Sequence, residues 1–165
     1  MHNTKFRGMS AELRQEIRQT KPFASLHEEA FLNLARTASE LSDDVELLLK
    51  DFGISAAQYN VLRILRGAGD AGLCRNEIRD RLVARMPDVT RLLDRLETLR
   101  FVRRQRDTGD RRQVGTFLTA DGAALLAKLD EPITTMHQRQ LQHLSADELR
   151  SLIALTTRAR QGPSR

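Results

Sequence analysis

The sequence predicts a mainly α-helical chain with a small β-hairpin set between helices, and three observations carry that prediction. An apolar stripe of helical period runs without a break through Phe31, Leu34, Ala38, Leu41, Val45, Leu48 and Phe52. A second stripe, Val89, Leu92, Leu93, Leu96 and Leu99, follows Pro87. Immediately after it come two runs with strand character, FVRRQR at 101–106 and VGTFL at 114–118, joined by a turn that contains Gly109.

The elements follow in order. Residues 1–24 are polar and broken by Pro22, so they form a flexible arm in which AELRQEIRQ is a short helix. The first stripe makes one helix of about 25 residues, ended by Gly53 as its C-terminal cap. Ser55 caps a second helix, AAQYNVLRILRGA, with Tyr59, Leu62 and Leu65 inward. GAGDAG is a flexible turn. A short helix over 75–83 buries Ile78 and Leu82. Pro87 then opens the helix PDVTRLLDRLETL as its first residue, where a missing N–H costs nothing. After the hairpin, Thr119 caps a helix that continues through Pro132 with a kink. Ser145 and Glu148 form a capping box for the last helix.

Charge is more informative by position than by sum. Residues 75–112 hold twelve Arg, no Lys and seven acids, and so carry the whole net charge of +5. A basic footprint of this kind suits a polyanion, above all double-stranded DNA. The single cysteine, Cys74, cannot form an intrachain disulfide. No apolar run approaches the roughly 18 residues of a membrane span, and MHNTKFRGMSAELRQ has no secretory leader character. A cytoplasmic protein without membrane contact is expected.

Two helices joined by a tight turn, with a hairpin directly after, make a winged helix-turn-helix over 55–119. Helices at 25–54 and 120–162 flank it. The major groove admits one helix, whose apolar stripe packs on its domain while the other face meets base edges. That face offers Thr90, Arg91 and Arg95, with Arg85 and Pro87 near its start. The hairpin brings Arg104, Arg106, Asp110, Arg111 and Arg112. Asp110 is placed to orient a neighbouring guanidinium before an arginine enters the minor groove, whose negative potential attracts it.

VTRLLDRLE at 89–97, then a strand, then D-T-G-D-R-R at 107–112, six residues before Leu118-Thr119-x-x-Gly122, resembles the MarR family of bacterial transcriptional regulators. The resemblance extends over residues 30–160 and is most specific from Asp107 to Gly122. It implies a homodimer whose first and last helices form the dimerisation region. Each subunit would offer one winged helix to half of a palindromic operator, usually in repression. Many members bind small aromatic or phenolic ligands that weaken DNA binding; no ligand residues are assigned here. In the family's wing the second arginine enters the groove and the acid before the pair braces it, which gives those roles to Arg112 and Asp110. Two positions depart from the family pattern. Arg100 stands where Gly is usual, and Met86-Pro87 replaces a small hydroxyl residue before the recognition helix.

Other classes are weaker. Cys74 is expected to be a small half-buried filler rather than a redox switch. His27, His137 and His143 have no metal-ligand spacing, and no catalytic constellation stands out. Neither enzyme activity nor a cofactor is expected. A winged-helix protein adaptor is disfavoured by the basic face.

Overall fold

Ser55, Asp88, Thr119 and Ser145 each open a helix through a side-chain oxygen that accepts a backbone N–H of its first turn. The computed structural model describes residues 13–85, 87–106 and 114–162. Its helices are α1 (Leu26–Lys50), α2 (Ala56–Ala68), α3 (Arg75–Arg81), α4 (Val89–Thr98), α5 (Ala120–Leu141) and α6 (Ala146–Gln161). Its strands are β1 (Leu73–Cys74), β2 (Val102–Arg106) and β3 (Val114–Leu118). The chain divides into two compact units, Met1–Asp44 and Val45–Arg165.

In the first unit, residues 13–16 form a helical turn. Residues 1–12, including the start of the expected short helix, lie outside the described residues. Leu26, Phe31 and Leu34 on α1 are exposed, Leu26 and Phe31 heavily so.

The second unit holds the core. Leu49, Val61, Leu62, Leu65, Ile78, Leu96, Val102, Leu126 and Leu129 are all at most 2% exposed. Burying each such aliphatic side chain stabilises by about 1.5–3 kcal/mol relative to leaving it in water. The inward residues expected on α2, α3 and α4 are found buried or partly buried in this cluster. Leu49, just off the expected stripe of α1, is that helix's one buried residue, while Val45, Leu48 and Phe52 pack at the margin.

Gly53 closes α1 as expected, with φ +71. Its N–H donates to the Lys50 carbonyl at 3.0 Å, and Ile54 donates to Leu49 at 3.3 Å, a Schellman closure. Ser55 caps α2 and forms a full capping box with Gln58, and Ser145 does the same with Glu148 for α6. α5 continues through Pro132 as one helix. The sheet has three strands in the order β1-β3-β2, all antiparallel. β1, only two residues long, carries no periodicity and is absent from the sequence reading.

α4 starts later than the sequence suggests. Asp88 is the N-cap, its carboxylate accepting the Arg91 N–H at 2.9 Å, so Pro87 lies before the helix instead of opening it. At the other end Arg100 takes the left-handed conformation, φ +61. Arg100 donates to Glu97 at 2.9 Å and Phe101 to Leu96 at 3.0 Å. The turn is thus the one a Gly would make, with an arginine in it. Arg100→Gly is expected to relieve about 1 kcal/mol of steric strain, less a few tenths for the freer unfolded chain. Thermal melting should show a rise of about 1–3 °C, and a fall in Tm would mean that the Arg100 side chain contributes contacts outweighing the strain.

Candidate nucleic-acid interface

α4 is amphipathic in the way a groove reader must be. Val89, Leu93 and Leu96 are buried, which fixes the rotation of the helix about its axis. Thr90, Arg91, Asp94 and Arg95 are left exposed on the other side. Arg85 and Pro87, in the turn ahead of it, are exposed too. That turn is pinned to α2, because the Val83 N–H donates to Asn60 Oδ1 at 3.0 Å. Of the residues expected on the recognition helix, the structure therefore leaves Arg85, Thr90, Arg91 and Arg95 exposed, with no carboxylate hydrogen-bonded to the Arg91 guanidinium among the described contacts.

One neighbour of this face is not singled out by the sequence. Arg75, the first residue of α3, reaches across to donate to the Thr90 hydroxyl at 3.3 Å. It lies in the basic segment, but nothing in its spacing singles it out. It also lines a cleft of about 440 Å³ with Cys74, Thr90, Leu93, Arg104 and Thr116. Cys74 is half-buried at the start of α3, where its N–H donates to Glu77 at 2.7 Å. That hydrogen bond holds the Glu77 carboxyl below its ordinary value.

The wing is built on the β2–β3 pairing, from Val102 opposite Leu118 to Arg106 opposite Val114. Successive side chains of β2 alternate across the sheet. Arg103 lies over the Phe117 ring, 4.3 Å from its centroid. Arg104, on the other face, is paired: its guanidinium bonds Asp94 and Glu97 of α4 at 2.7 and 2.5 Å. Glu97 is held below its ordinary value chiefly by the Arg104 side-chain hydrogen bond. Arg106 is the last residue of β2. Asp110, Arg111 and Arg112, expected at the tip, lie outside the described residues.

Thr119 joins the wing to α5. Its hydroxyl accepts the Gly122 N–H at 3.1 Å and donates to the Arg100 carbonyl at 2.7 Å, while its own N–H donates to Phe101 at 3.1 Å. The motif Leu118-Thr119-x-x-Gly122 is therefore a structural fastening at the base of the hairpin. Among the described residues no group of His, Cys, Asp or Glu is arranged to hold a metal ion, and no helix is long and apolar enough to cross a membrane.

Comparison with known proteins agrees with this geometry. The sequence profile of the MarR family matches residues 52–113. The multiple antibiotic resistance protein MarR of Salmonella typhimurium is 33% identical over 105 residues, covering 63% of this chain and 72% of that protein. The transcriptional regulator TtmR of Methylorubrum extorquens is 42% identical over 83 residues, half of this chain, and the match spans only 42% of TtmR. The crystal structure of the S. aureus MepR–DNA complex superposes with a TM-score of 0.69 at 28% identity, covering 76% of this chain and 92% of MepR.

Proposed function

We propose, from the premise that the chain belongs to the MarR family of transcriptional regulators, that this DNA-binding regulator is a homodimeric repressor of a palindromic operator. One observation carries the proposal: α4 is rotationally fixed by three buried residues and presents Arg91 and Arg95 from an exposed face, beside a paired hairpin. The solved complex of MepR with DNA supports duplex binding by a chain of this fold. In this reading Arg85, Thr90, Arg91 and Arg95 meet the major groove. Arg106, Arg111 and Arg112 serve the wing, with Asp110 orienting its neighbours. Pro87 shapes the entry to the helix.

Dimerisation has separate support in each unit. Leu26 and Phe31 on α1 are 81% and 68% exposed. α6 has no buried residue, and its Ile153 and Leu155 are 64% and 61% exposed. Apolar faces of this kind suit burial against a second copy. Release by a small aromatic or phenolic ligand, and action in the cytoplasm, complete the proposal on family resemblance.

The test is selection of duplexes from a random library, followed by fluorescence anisotropy near physiological salt. The proposal expects enrichment of an inverted repeat, bound as a dimer about 10³-fold or more above scrambled sequence. Failure to enrich any sequence, with equal weak binding to all duplexes, would refute it.

A further inference from the structure

β2 presents two arginines with opposite surroundings. Arg103 is exposed on the outer face, over Phe117. Arg104 stands on the inner face of the hairpin, opposite the buried Thr116. All three of its guanidinium nitrogens bond a carboxylate. Nε and Nη2 donate to Glu97 at 2.8 and 2.5 Å, and Nη1 contacts Asp94 at 2.7 Å. The Arg104 backbone N–H also donates to Glu97, at 3.0 Å. One wing residue thereby holds two acids spaced three apart on α4.

Asp94 sits on the exposed side of α4, next in sequence to Arg95 and three residues after Arg91. Bare, it and Glu97 would face a polyanion carrying about one charge per 1.7 Å of axis. If Arg104 turned to a phosphate it would give up two carboxylate partners for one new one, and would leave both acids unpaired against the DNA. The same contacts add a polar tie between two elements that must engage the duplex together, beside the tight turn at Arg100 and the shared burial of Leu96 and Val102.

We propose that Arg104 is a positioning residue that ties the wing to the recognition helix and covers the charge of Asp94 and Glu97, and is not itself a DNA contact. The inference rests on the DNA-binding reading above, and revises the part that the sequence alone gives Arg104. The depressed Glu97 carboxyl is in keeping with it.

A charge swap tests it, using the duplex that the parent protein selects. Arg104→Glu should weaken binding by at least about tenfold, within the range of coupled neighbours. The double variant Glu97→Arg/Arg104→Glu rebuilds the tie with reversed polarity, so it should bind at least about fivefold more tightly than Arg104→Glu. A double variant no tighter than the single one would overturn the proposal, since a glutamate at a phosphate contact repels DNA whatever stands at 97. A DNA-free measurement separates this from the functional reading. Amide hydrogen exchange in residues 102–106 and 114–118 should accelerate in Arg104→Met, relative to α2 and α5, whether or not a duplex is ever found. Unchanged exchange there would also overturn the tie. Failure of the parent to select any duplex counts against the DNA reading, and with it against the charge-covering role.

Discussion

Gly122→Ala is expected to destabilise the protein by about 2–3 kcal/mol, and to lower Tm by about 4–12 °C. A Cβ at position 122 would lie 2.3 Å from the Phe101 carbonyl oxygen and 2.7 Å from Leu118 Cδ1. The leucine methyl can rotate away. The carbonyl cannot move freely, because it accepts the Thr119 N–H at 3.1 Å and belongs to the residue that closes the Schellman turn after α4. Alanine's better helix propensity returns at most about 1 kcal/mol, less than the clash takes. The strain falls on the fastening between wing and α5, so DNA affinity should drop as well. Thermal melting by circular dichroism reads the first effect. A Tm within a degree or so of the parent would show that Phe101 has room to retreat, and would leave the close approach argued for Gly122 without consequence.

Arg91→Ala carries the largest expected effect on recognition, a loss of about 1–3 kcal/mol of discrimination at a base pair. Stability should change by less than about 0.5 kcal/mol, as at other exposed positions. The cap survives, since it is the Arg91 backbone N–H that Asp88 accepts, at 2.9 Å. The check is anisotropy against the selected duplex and its single-base-pair variants. A loss concentrated at one position of each half-site supports base reading. A loss spread evenly over all duplexes, with a shallower salt dependence, would assign Arg91 to a phosphate instead.

Local chemistry made most of the architecture legible. Ser55, Thr119 and Ser145 announce their helices because a hydroxyl beside a free N–H satisfies it within three residues. The stripes of α2 and α4 are visible because one buried face imposes a period of 3.6 on the sequence. Strand alternation also held a clue that was passed over: with Val102 buried, Arg104 two residues on points to the same side and away from Arg103. Other features have no local signature. β1 is two residues of strand that exist only because β3 pairs with Leu73 and Cys74. Asp88 rather than Pro87 begins α4 because its carboxylate reaches a particular N–H, a competition between neighbours that residue type alone does not settle.

By itself, then, the sequence determined the helix order, the hairpin, the basic segment and the family resemblance, all consequences of patterns that are continuous along the chain. Only the tertiary structure decided which arginines remain available. Arg91 and Arg104 are alike in chemistry and both stand in the basic segment, but Arg104 meets two carboxylates from α4 while the Arg91 side chain is left exposed. A guanidinium's partner is chosen by distance in space, and β2 comes back beside α4 only once Leu96 and Val102 are buried in the same core.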